Sequence, residues 1–133
     1  MFSWAGNATA PGGLYRIRKL SEPSHLPTAM HAIDGGVELV FAEPMDSQSI
    51  DTANFKLEQW GLKRSARYGS DHIDQHELGI DQVRLLEDGK TVRIESRQLK
   101  PSWGMEIRYR LRAQDGRSVQ GTIHNTIHQV GTK

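Results

Sequence analysis

The sequence predicts a single all-β domain, a sandwich of about seven or eight short antiparallel strands with Greek-key wiring. Three observations carry that expectation. Val37, Leu39 and Phe41, and again Met105, Ile107, Tyr109, Leu111 and Ala113, put apolar side chains on every second residue, the period of a strand with one face in a core. Turn signals at Gly35-Gly36, Asp88-Gly89 and Asp115-Gly116 separate the alternating segments, as hairpins require. A composition of 36% hydrophobic and 25% charged residues over 133 positions suits a small sandwich with two solvated outer faces. That length is enough to bury one core without a metal or a disulfide.

Residues 1–13 are rich in Gly, Pro and small side chains, have no period, and read as a flexible linker carrying an exposed Trp4. The sandwich is expected over 14–130, with 131–133 as a polar tail. Residues 14–20 alternate Tyr15 and Ile17 against Arg16 and Arg18, so they are expected to form a charged edge strand. Pro23 and Pro27 make the next stretch an extended connection. Residues 28–33 and 36–41 form a hairpin, and Pro44, which has no N–H to give to a ladder, stops its second arm. A polar crossing over 46–54 leads into a strand with Phe55 and Leu57 on one face and Lys56 and Glu58 on the other.

Residues 61–81 have no clear period and are expected as one long loop, the functional end of the module. A second hairpin then joins 82–86 to 91–96, with Val92 and Ile94 inward. Along 105–113, Glu106, Arg108, Arg110 and Arg112 face out, with Glu95 as a cross-strand partner for the arginine row. Residues 118–127 close the sheet, sending Ile123 and Ile127 into the core and leaving His124 and His128 at the rim.

Charge and composition exclude several functions. Seventeen basic and sixteen acidic residues give a net charge of +1, which supplies no sustained field for nucleic acid or a membrane surface. With no cysteine there is no thiolate nucleophile and no cysteine-held zinc or haem. No apolar run approaches a membrane span of about 20 residues, and the first residues lack the basic start and apolar core of a signal peptide, so an export signal is expected upstream, in a longer parent.

The order of a strand, Glu43-Pro44-Met45-Asp46, a short crossing, Ala53-Asn54-Phe55 and a strand, followed by Asp88-Gly89-Lys90-Thr91-Val92 and Leu99-Lys100-Pro101, resembles the bacterial immunoglobulin-like and fibronectin-III-like sandwich modules. More narrowly, residues 13–18, His25-Leu26-Pro27, Tyr68-Gly69-Ser70 with His72, residues 104–109 and residues 124–128 are similar to the C-terminal region of large exported proteins of planctomycete-type bacteria. Those parents carry a dehydrogenase-like propeller and often a c-type cytochrome segment. The resemblance implies an exported, periplasmic or extracellular accessory module. The haem motif Cys-x-x-Cys-His is absent from this chain, so redox chemistry does not transfer to it.

Two side-chain groups stand out. Asp71, His72, Asp74, His76, Glu77 and Asp81 crowd the 61–81 stretch. His72 and His76 have the i, i+4 spacing that puts two imidazoles on one face of a helix, although nothing around them reads as helical. The expectation is a solvated polar segment without metal; any metal would fall to His72, His76 and Asp74. Trp60, Tyr68 and Trp103 could form an aromatic platform for sugar rings, with Arg64, Arg67 or Asp71 supplying polar contacts and His72 counted among the binding residues, or Trp60 and Trp103 could cap the sandwich end. Ser70, Asp71 and His72 are neighbours in sequence, which does not make them a triad.

No catalytic site and no cofactor are expected. The reading is therefore a non-catalytic accessory module packing against neighbouring domains of its parent, a monomer in isolation, with a carbohydrate-binding module as the alternative.

Overall fold

In the computed structural model the described residues are 16–18, 25–66 and 69–131. They form eight strands: β1 (Pro27–Ile33), β2 (Gly36–Phe41), β3 (Phe55–Lys63), β4 (Asp71–Leu78), β5 (Gln82–Leu85), β6 (Thr91–Glu95), β7 (Ser102–Arg112) and β8 (Ser118–Ile127). Two four-stranded sheets are ordered β1-β2-β6-β5 and β4-β3-β7-β8, and every pairing within them is antiparallel. Consecutive hairpins alternate between the sheets, so β2 lies beside β6 and β3 beside β7. This is the strand order of the immunoglobulin-type Greek-key sandwich with one extra strand flanking β3.

The alternation seen in the sequence becomes the inter-sheet core. Val37, Leu39 and Phe41 of β2 and Val92 and Ile94 of β6 face Leu57, Met105, Ile107, Tyr109 and Leu111 of β3 and β7, and all are almost fully buried. Burial of each such side chain favours folding by about 1.5–3 kcal/mol, and Phe41 meets Tyr109 edge-on at 5.6 Å. Burial also pushes the Tyr109 phenol above its ordinary pKa. The polar crossing after β2 is not featureless: Asp46 and Asp51 cap two short 3-10 turns, accepting from the N–H groups of Gln48 and Ala53.

Four expectations change. Residues 61–81 are not one loop, because β3 runs on to Lys63 and β4 occupies Asp71–Leu78. Seven of the eight β4 residues are exposed, so the strand has no core-facing column for a period to reveal. Glu106 lies on the outer-face register yet is only 9% exposed, since it pairs with Arg108 and His124. Glu95 pairs with Arg84 in the other sheet, and not with the arginine row of β7. Arg16, Ile17 and Arg18 belong to no strand; the rest of 14–20, together with Trp4 and the 1–13 linker, lies outside the described residues.

The β5–β6 turn supplies a pH prediction. The Asp88 carboxylate accepts from the Thr91 hydroxyl and from the N–H groups of Lys90 and Thr91. Those bonds, the hydroxyl's first, hold its pKa below the ordinary value. A group lowered in the folded state contributes stability above its unfolded pKa and loses it as pH falls through the folded one. Asp88→Ala should therefore lower the melting temperature at neutral pH, and the gap from the unaltered chain should shrink as the solution is taken toward about pH 2. A gap that stays constant in acid would show that the charged carboxylate is not what holds the turn.

Candidate functional site

Strand β3 positions the site, and its alternation decides which residues reach which face. Phe55, Leu57 and Gln59 point inward and are buried, while Lys56, Glu58 and Trp60 point to the outer face. Trp60 pairs with Gly104 of β7, and a Cβ on Gly104 would fall 2.1 Å from the indole nitrogen. The missing side chain is what lets the indole lie across β7. On the β4 side the His72 ring stacks on Trp60 at 4.6 Å and 21°, and from β8 His124 approaches edge-on at 6.4 Å. Trp60 is thus half-buried among imidazoles instead of offering a free face.

A bulge in β4 separates the two histidines. Ile73 is opposite Gly61 and His76 is opposite Gln59, so Asp74 and Gln75 together face the single residue Trp60, and Asp74 takes a positive φ of 54°. One extra residue inverts the facing of everything after it. His72 shares the outer face with Trp60, whereas His76 takes the inward register at the sheet edge and its Nδ1 lies 2.7 Å from the Asp74 carbonyl oxygen. The i, i+4 spacing therefore does not bring the imidazoles together. Among the described residues no group of three or more His, Cys, Asp or Glu side chains is placed to hold a metal.

Beyond the bulge, a cleft of about 750 Å³ opens between β4 and the β6–β7 connection. Trp60 and Trp103 border it, with Asp74, His76 and Glu77 on one wall and Arg97, Gln98 and Lys100 on the other. Two glutamines tie the walls. The buried Gln59 amide donates to the Lys100 carbonyl at 2.7 Å and to the Ser102 hydroxyl at 3.0 Å, and Gln98 Oε1 accepts the Gly79 N–H at 2.9 Å. Trp103 is 61% exposed at the mouth. Its carbonyl accepts from the Thr126 hydroxyl and its ring meets His128 edge-on at 6.0 Å, so it is a large apolar group held on a rigid strand.

The charges beside the cleft are largely paired. Lys56 bridges Glu58 and Glu77. Its ammonium and then the Gln75 amide hold the Glu58 carboxyl below its usual pKa, and the two carboxylates raise that of Lys56. Both side chains keep contact with water, Lys56 38% and Glu58 17% exposed, and screening there keeps the effect on stability small.

Of the residues singled out in the sequence, Trp60, Trp103, Asp74 and His76 share the cleft, and His72 meets Trp60 on the outer face. Asp71 pairs in register with Lys63 at the far end of β4, and Tyr68 lies outside the described residues. Gln59, Arg97, Gln98 and Lys100 were not anticipated. Gln59 carried a legible signal, a polar residue in the same inward column as Phe55 and Leu57, whereas the other three come from a connection whose path only the fold sets.

No family model and no curated protein matches the chain. Among solved structures it is similar to PcoC, a copper resistance protein from Escherichia coli, with a TM-score of 0.52 and 17% identity over 76% of this chain and 97% of that one. At that identity the likeness is one of fold, a β-sandwich.

Proposed function

We propose that the chain is a non-catalytic accessory module of a larger exported protein, engaging a neighbouring domain or partner through the end of the sandwich that carries Trp103. The observation that supports this is the exposure of that indole beside a cross-braced cleft. A large aromatic group left in water on a rigid strand is what interface anchors look like before they are covered. The walls around it mix both charges with amides, the polar rim such anchors have. Export rests on the resemblance of the 13–130 region to exported parents.

Hydroxyl-radical footprinting of the isolated chain against the intact parent tests the reading. Trp103 and the Arg97–Pro101 connection should label freely in the isolated chain and be protected in the parent. Equal labelling in both would overturn it.

The same cleft supports the carbohydrate reading as second choice, because an exposed indole flanked by amide, carboxylate and basic side chains can stack on a sugar ring and bond its hydroxyls. Trp103 is the platform in that case, since His72 already covers Trp60. Saturable chemical shifts at Trp103 on titration with oligosaccharides, lost in Trp103→Ala, would favour this reading over a protein partner.

A further inference from the structure

The cleft beside Trp103 has two walls of opposite character. Asp74 and His76 of β4 stand on one, Arg97, Gln98 and Lys100 of the β6–β7 connection on the other. The first wall accepts hydrogen bonds. Asp74 does so as a carboxylate, and His76 through Nε2, because the Asp74 carbonyl oxygen 2.7 Å from Nδ1 fixes the proton of the neutral ring on that nitrogen. The second wall donates. Gln98 Oε1 is taken by the Gly79 N–H, which leaves its amide NH2 to give bonds, and Arg97 and Lys100 carry only donors.

These charges are not satisfied inside the chain. Glu77 is held by Lys56, but among the described residues neither Asp74 nor Lys100 makes an ion pair. The Arg97 side chain, 91% exposed, meets Asp81 at 3.9 Å. No ion pair joins the two walls. Past the indole lies a smaller hollow lined by Trp103, Pro101, Ile127 and His128, which gives an apolar side chain a seat beside the charged cleft.

We propose, resting on the docking role of the Trp103 end, that the occupant of the cleft is an extended polypeptide segment in which a basic residue stands next to an acidic one, with an apolar residue of the segment seated on the Trp103 indole. Successive side chains of an extended chain point to opposite sides. A segment lying along the cleft therefore gives its basic side chain to the Asp74 wall and its acidic one to Arg97 and Lys100. A neutral sugar would cover the same charged groups without a countercharge for any of them, and burying charges unpaired is costly. A segment of one sign would suit one wall and be repelled by the other.

Panning a phage-displayed library of short random peptides on the full chain tests the proposal. Enriched sequences should place a basic residue beside an acidic one, with an aromatic or branched apolar residue close by. Such a peptide, synthesised, should bind at least about tenfold more weakly to Lys100→Glu, at an exposed position, and binding should return when its acidic residue is exchanged for lysine. Asp74→Asn should weaken it as well, since asparagine keeps the left-handed backbone that Asp74 holds and removes only the charge. Return of binding with the exchanged peptide is a result that a misfolded variant could not give. No enrichment, enriched peptides that lack the charged pair, or binding indifferent to Lys100→Glu would overturn the proposal. If the enriched peptides lack the pair yet bind less well to Trp103→Ala, the docking role of the indole survives and only the charged pair falls. Peptides indifferent to Trp103→Ala would count against both. Oligosaccharides that shift the Trp103 resonances where no peptide is enriched would give the cleft to sugar instead.

Discussion

Phe41→Ala is expected to cost about 3–5 kcal/mol of stability, the range for deleting a fully buried aromatic ring. Phe41 is 1% exposed, closes β2 at the centre of the first sheet, and is the contact across which Tyr109 of the second sheet packs. Removal leaves a cavity beside Tyr109, which sits on backbone paired to β3 and β8 and cannot collapse into it. Arg110→Ala, on the outer face of β7, should stay within about 0.5 kcal/mol. Chemical denaturation reads both, and coincident midpoints would show that the inward and outward columns have been assigned to the wrong faces.

The second large effect is expected at Gly36. This residue pairs with Glu95 between the two central strands of the first sheet, and a Cβ built on it would lie 2.2 Å from the Ile94 carbonyl oxygen. The obstacle is backbone, so no rotamer change can relieve it, and β2 and β6 would have to separate at the end where Gly36 enters the ladder. Gly36→Ala should destabilise by about 3 kcal/mol, at the upper end for overpacking. Gly79, where the same atom would find ordinary contacts of 3.7 Å or more with the Gln98 side chain, is the control. Equal urea midpoints for the two alanine variants would remove the close approach as a constraint.

What the residues announced and what they concealed follows from where the core lies. β2, β6 and β7 each turn one face inward, so burial is written as alternation, and their hairpins are legible from the residues alone. β4 pairs only with β3 and overhangs the core, keeping Leu78 as its one buried residue; a strand with nothing to bury has no period to read. Glu106 is hidden for a different reason. Parity sends it outward correctly, but its burial comes from Arg108 and His124, one on its own strand and one across the ladder. The cleft was half visible: Trp60 and Trp103 were recognisable as large aromatics away from core columns, while their shared wall depends on Gln59 pinning the β6–β7 connection.

The extra residue in β4 acts as a phase shift. Before Asp74 the strand contributes His72 to the tryptophan on the outer face; after it, the same strand faces the cleft with His76. Counting backbone units, more than choosing side chains, thus decides which chemistry appears at the end of the sandwich. Were the same residues paired one for one, without the bulge, His72 and His76 would stand in a single column and the edge would lie flat, ready to pair. The bulge thus lets one edge strand serve both faces of its sheet while spoiling that edge as a template for another strand.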